Sequence, residues 1–123
     1  MGVTLLPHTK GNQQLIVKEK DTALAYGSRL VPVLATPAMI ALMELTALSS
    51  INHQLPDELT TVGFAVDMKH LKASKIGNTV VCESELVEVT GRKLVFKLQV
   101  WDEGILAGEG THIRYIIEKS KFI

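Results

Sequence analysis

The spacing of apolar positions changes character once along this chain, and that change divides it. Over Thr36–Leu55, TPAMIALMELTALSSINHQL, residues Met39, Ile40, Leu42, Met43, Leu45, Leu48 and Ile51 surround a helical axis rather than alternate. One helix is predicted over Thr36–Leu55. Thr36 is positioned to cap it through its hydroxyl, and Pro37 suits the first helical position, where no N–H is needed. The helix should end near Leu55-Pro56, since a proline disfavours helical geometry in the residue before it. A helix apolar all round belongs inside a core. It nevertheless carries one acid, Glu44, whose charge burial penalises.

The other segments alternate with a period of two. Asn12–Lys20 reads as a short first strand with Leu15 and Val17 on one face, and Asp21–Ala35 as a loop with short helical turns. After a Pro56–Thr61 turn, Val62–Leu71 places Phe64, Val66, Met68 and His70 on one face and Ala65, Asp67 and Lys69 on the other. Lys72–Asn78 is a basic connector closed by Gly77-Asn78. Thr79–Thr90 and Leu94–Asp102 read as a hairpin across Gly91-Arg92-Lys93. Glu103–Gly110 is glycine-rich, with a turn at Glu103-Gly104 and a portion, Ile105–Ala107, able to pair already. Thr111–Glu118 is the last strand. Short connections between neighbours imply an antiparallel sheet. The expectation is an α+β hotdog fold, an antiparallel β-sheet wrapped around one long central helix, in a single domain spanning 1–123. Open sheet edges make a homodimer or a dimer of dimers the expected assembly.

Composition narrows the function. Thirteen acids balance 13 bases, so nothing draws the chain to nucleic acid or to an anionic membrane, and neither partner is expected. Cys82 is the one cysteine, which excludes an internal disulfide and indicates a reducing compartment. The first residues, MGVTLLPHTKG, lack the pattern of a signal peptide, so the expected location is cytoplasmic. Two prolines, Thr36 and Glu44 interrupt the apolar stretch Leu30–Leu48, against a membrane span.

Three polar residues stand in apolar settings. Glu44 reads either as a carboxylate satisfied by hydrogen bonds or reaching the surface at a dimer seam, or as an acid–base group held in a dry pocket with its pKa shifted by burial. Thr36 adds a hydroxyl beside the free N–H groups of a helix N-terminus, which suit an oxyanion. His70 reads equally as a satisfied core histidine or as a proton carrier. Thr36 and Glu44 lie on roughly one side of the helix, about 12 Å apart along its axis. His112 is opposite in phase to Ile113 and Tyr115, and reads as facing solvent or a partner. Cys82 reads as a small buried hydrophobe. No HExxH, CxxC, GxSxG, P-loop or GxGxxG is present, and no metal site is expected. Lys69, Lys72, Lys75, Arg92 and Lys93 are basic places suited, together, to the phosphates of a nucleotide-bearing thioester.

The pieces ATPAMIALMELTAL, the strand ending in His70, the hairpin VEVTGRKLVF and the closing GEGTHIR resemble, in order and spacing, the fluoroacetyl-CoA thioesterase-like family of hotdog proteins, over about residues 15–122. The resemblance implies acyl-CoA thioester hydrolysis by Thr36, Glu44 and His70, with Gly63 near the substrate carbonyl. It also implies a site at a dimer interface, and no cofactor beyond the CoA of the substrate itself. The family's fluoroacetyl-specific enzyme carries a phenylalanine in a lid before the helix. Here Ala25–Val33 offers Tyr26, Leu30, Val31 and Val33 but no Phe, so a small or medium acyl-CoA is the expected substrate. Tyr26, Leu30, Val33, Lys69 and Arg92 are the further substrate-binding candidates. The rival readings are a non-catalytic hotdog module that binds acyl-CoA or a related ligand, a dehydratase on the same fold, and a purely structural dimer. The usual Asp/His hydratase pattern is missing.

Overall fold

The computed structural model describes residues 5–27 and 31–122. Five antiparallel strands form one sheet: β1 (Lys10–Ile16), β2 (Leu59–His70), β3 (Thr79–Thr90), β4 (Lys93–Asp102) and β5 (Ile105–Glu118), in the order β1-β3-β4-β5-β2. The helix α1 (Thr36–Ile51) lies across the inner face, mainly over β1 and β3. This is the hotdog arrangement that the alternation and the single long helix imply. The core is shared between Met39, Met43, Ala47 and Ile51 of α1 and Val80, Leu86, Leu94, Phe96 and Leu98 of the sheet, all buried.

Several local details depart from the sequence expectation. Helix α1 ends at Ile51 and continues as a 3-10 turn over Asn52–Gln54, while Leu55 is extended, as the following Pro56 requires. Strand β1 is displaced towards the N-terminus, because its pairing with β3 runs from Lys10↔Glu85 to Ile16↔Thr79. Strand β5 is continuous through the glycine-rich stretch. Gly110 is needed there, since a Cβ would collide with the Asp67 carbonyl and the Met68 Cα. The β4–β5 turn is two residues, Glu103-Gly104, both with positive φ (49° and 85°), as a tight hairpin demands.

The helix is not apolar-enclosed as its composition suggested. Pro37, Ala41, Leu45 and Ser49 are exposed, with Leu45 at 49%. The sheet covers one side of α1, and this row of residues on the other side stays open to solvent. No helix among the described residues is long and apolar enough to cross a membrane.

Candidate active site

Thr36 opens α1 but does not cap it. Ala35 occupies the N-cap in extended geometry without a side-chain cap, and Pro37 follows in the first turn. The Thr36 hydroxyl goes elsewhere: Oγ1 lies 2.8 Å from Nδ1 of His70. His70 reaches it because it is the last residue of β2, paired with Gly108, on the inner side of the strand. Its Nε2 is buried and has no partner of hydrogen-bond geometry. Burial lowers the His70 pKa below 6.5, partly opposed by a backbone interaction with Lys72. A neutral imidazole against a hydroxyl is an arrangement that accepts or returns a proton near neutral pH.

Glu44 sits two turns further along the same row of α1, at i+8 from Thr36. Its side chain is 43% exposed, so the dry core expected for it is not found in the single chain. Oε1 instead borders a recess of about 160 Å³ lined by Gly63, Phe64, Ala65, Val66 and His112. Gly63 makes that approach possible. A Cβ there would lie 2.9 Å from Glu44 Oε1, closer than real contacts allow. A bulge between Gly63 and Ala65 bends β2 at this point and turns Phe64 out of the inner face to 69% exposure, where it meets Tyr115 edge-on at 5.2 Å. Val66, Met68 and His70 keep the inner face assigned to them.

Two buried polar residues of β5 stand at or beside this recess. His112 and Arg114 point inward beside Ile116, at 1% and 5% exposure, whereas Ile113 and Tyr115 point outward. His112 therefore does not face solvent. Arg114 Nε donates to Thr61 Oγ1 (2.8 Å) and Nη2 to the Thr61 carbonyl (2.9 Å). Its Nη1 lies 3.1 Å from His112 Nε2 and 3.9 Å from Glu44 Oε1. A guanidinium only donates, so His112 Nε2 must accept, and Nδ1 carries the proton donated to the Ala65 carbonyl (2.8 Å). Burial first, then Arg114, lowers the His112 pKa and keeps the ring neutral, against the raising effects of the Ala65 carbonyl and Glu44. Burial also lowers that of Arg114, against the attraction of Glu44. Glu44 thus faces a fixed positive group whose every other contact is internal. The signal available was phase: Gly108, Gly110, His112, Arg114 and Ile116 share one face, and both glycines are where the helix or β2 presses close.

The remaining candidates are scattered. Tyr26 lines a separate groove with Ala38, Ala41, Leu42 and Leu45, on the far side of α1 from the Thr36–Ile40–Glu44 row. Val33 is half-buried and bridges to Lys75. Leu30 lies outside the described residues. Lys69 points to the outer sheet face with Asp67 and Lys97, away from its neighbour His70. Arg92, in the β3–β4 turn, approaches Glu118 at 3.7 Å. Lys72 is tied to the buried Asp102 at 2.8 Å and is not free for a phosphate. Cys82 is buried, and burial pushes its thiol up to about 11. A depression of about 380 Å³ lies among alternating charges on the outer face of β1, β3 and β4 and holds none of these residues. Among the described residues no group of three or more His, Cys, Asp or Glu side chains is arranged for a metal.

Two constellations result, Thr36–His70 at the start of α1 and Glu44–Gly63–His112–Arg114 two turns on. Residues 17–120 match the family model described as fluoroacetyl-CoA-specific thioesterase. A fluoroacetyl-CoA thioesterase of Streptantibioticus cattleyicolor is 33% identical over 90 residues, 73% of this chain; the match spans 65% of that relative's length. A mutant of the fluoroacetyl-CoA-specific thioesterase FlK, solved with fluoroacetate and CoA, superposes with a TM-score of 0.91 at 26% identity, covering 97% of this chain and 100% of that one. A Thermus thermophilus protein described as a thioesterase superfamily member shares the fold, with a TM-score of 0.90 at 22% identity over 97% of this chain and 88% of its own.

Proposed function

The chain belongs to the fluoroacetyl-CoA-specific thioesterase family, and from that premise we propose that it hydrolyses a small or medium acyl-CoA to the free acid and CoA. The observation that carries this reading is the 2.8 Å contact of Thr36 Oγ1 with His70 Nδ1 at the first residue of α1. The thioester carbonyl is bound there, where the Thr36 hydroxyl and the unpaired N–H groups of the first turn stabilise the developing oxyanion. His70 holds the hydroxyl by donating from Nδ1 to Oγ1, which leaves the hydroxyl's own proton for the oxyanion and Nε2 free to take the proton of the attacking water. Glu44, oriented by Arg114 and close against Gly63, either activates water or attacks the carbonyl to give an anhydride that water then opens. CoA is the leaving group, and no separate cofactor takes part.

The same proposal includes a homodimer. Within one chain Thr36 and Glu44 are two turns apart, about 12 Å along the axis, and neither pairs with the other's partners. The edge strand β2 exposes Val62 and Phe64, and α1 exposes Ala41 and Leu45, so the elements that carry both constellations also carry uncovered apolar surface. A second copy against this edge brings Thr36–His70 of one protomer to Glu44 of its partner. A cytoplasmic enzyme free of membrane and nucleic acid is consistent with the balanced charge.

Free-thiol release from a panel running from acetyl-CoA to long-chain and aryl esters tests the activity. Turnover of the short and medium members is expected; tight binding without turnover of any member moves the chain to the binding-module reading. Mixing folded Thr36→Ala with Glu44→Gln tests the shared site. Mixed dimers hold one intact composite site and regain activity, whereas a site within one chain stays dead in the mixture.

A further inference from the structure

The segment after β2 does more than connect two strands. Leu71 and Lys72 both donate their backbone N–H to the Ala107 carbonyl, at 2.7 and 3.2 Å, directly after His70. Further along, the Ser74 carbonyl accepts from Leu34 N–H at 2.8 Å, and Lys75 bridges to Val33. Leu34 is two residues before Thr36. One connector therefore touches both chain segments whose side chains meet at the Thr36–His70 hydrogen bond.

That connector is fastened at both ends by one carboxylate. Asp102, the last residue of β4, has a side chain only 1% exposed. Its Oδ2 accepts from Lys72 Nζ at 2.8 Å, and its Oδ1 accepts from Asn78 Nδ2 at 3.1 Å. Burial works against the charge, yet Lys72, Asn78 and the neighbouring Ser74 hydroxyl outweigh it and hold the carboxyl below its ordinary value. A buried carboxylate with a charged donor on one oxygen and an amide on the other is far stiffer than a surface ion pair.

We propose that Asp102 is a positioning residue for the Thr36–His70 pair: it fixes the 72–78 connector through Lys72 and Asn78, and the connector holds the end of β2 and the entry to α1 in register. This rests on the reading that Thr36 and His70 act on the thioester. Asp102 itself touches neither. Weakening the clamp lets the two segments drift by fractions of an ångström. The stability of the sheet suffers less than the 2.8 Å contact does, because the ladder pairs of His70 with Gly108 and of Asp102 with Val80 and Ile105 persist.

The test uses the full chain with Asp102→Asn and Lys72→Met, and Lys72→Arg as the conservative return. The 15N shifts of the His70 imidazole report whether Nδ1 keeps its hydrogen bond. The proposal expects them to move in both folded variants and to return with Lys72→Arg. It expects kcat on acetyl-CoA to fall about tenfold to a hundredfold with KM nearly unchanged, the scale of a small misplacement of reacting groups. Added to Thr36→Ala, Asp102→Asn should then cost little more, since the contact it maintains is already gone. Unmoved His70 shifts in folded variants overturn the proposal, and so does a kcat loss that is fully additive with Thr36→Ala. If Asp102→Asn does not fold, Lys72→Met decides alone, since Lys72 is one-third exposed and its loss leaves Asn78 on the carboxylate. An inactive wild type defeats the thioesterase reading but leaves the His70 shifts to judge the clamp.

Discussion

Gly63→Ala separates chemistry from folding at the recess. A methyl at this position would sit 2.9 Å from Glu44 Oε1, 3.3 Å from His112 Cε1 and 3.4 Å from Arg114 Nη1. The last two are tight but tolerable, and both side chains are buried and tethered, His112 to Ala65 and Arg114 to Thr61. Glu44 must therefore give way. It is 43% exposed, joined to Arg114 only by a 3.9 Å charge contact, and free to swing outwards. Overpacking a core costs about 1–3 kcal/mol, but here the relief is into solvent, so the low end applies. Against it stands the roughly 0.4–1 kcal/mol gained when alanine replaces glycine at a permitted backbone angle. The sum is near zero, so Tm should change by no more than a few degrees. The rate should not be spared: moving the carboxylate by even part of an ångström costs on the order of tenfold to a hundredfold in kcat. Thermal melts and thiol release from acetyl-CoA, run on the same preparation, read both quantities. A folded variant with wild-type kcat would refute the idea that Glu44 needs the space Gly63 leaves.

Other consequences are checked more simply. His70 and His112 both titrate below 6.5 in the folded chain, so the unfolded chain binds more protons from that value downwards; stability should be complete above pH 6.5 and fall as pH drops through the window to the lowered values, which melts between pH 7.5 and 5 will read. For the same reason the acid limb of kcat/KM should lie below pH 6.5, and a limb above 7 would rule His70 out as the neutral base. With its thiol buried and pushed to about 11, Cys82 should not react with a thiol reagent until the protein unfolds, and fast labelling of native protein would contradict its packing. A single turnover in 18O-water distinguishes the two routes for Glu44: direct attack by water labels the released acid at once, whereas an anhydride opened at the Glu44 carbonyl leaves the label on the enzyme.

The fold was legible because its elements speak in separate periods. Alternation in β2 to β5 and the all-round apolar run of α1 leave one way to bury both, a sheet curved around a helix. Boundaries slipped where tertiary pairing overrides local preference, as in β1, whose limits are set by its register with β3, and in β5, where glycines that look like a loop serve close packing against Met39 and β2. Of the candidate site, Thr36, Glu44 and His70 stand out as polar residues in apolar company. What sequence did not reveal was partnership. Thr36 reads as a cap until His70 is seen to take its hydroxyl. Glu44 reads as buried until the open side of α1 is seen, since apolar neighbours in sequence do not say which side of a helix the sheet covers. His112 reads as facing solvent or a partner, and Arg114 does not stand out, because two inward polar residues make sense only once Thr61, Ala65 and Glu44 are there to satisfy them.

If Glu44 acts on an acyl-CoA thioester, wild type and Glu44→Gln must part on one acyl-CoA panel run side by side. The substitution keeps size and shape and removes the charge from a partly exposed side chain, so the fold should survive. Turnover by wild type and a loss of at least about a hundredfold in the variant are expected, the usual scale for a positioned acid–base group. Equal turnover by both proteins would contradict the site, and an inactive wild type that still binds CoA esters would contradict the reaction.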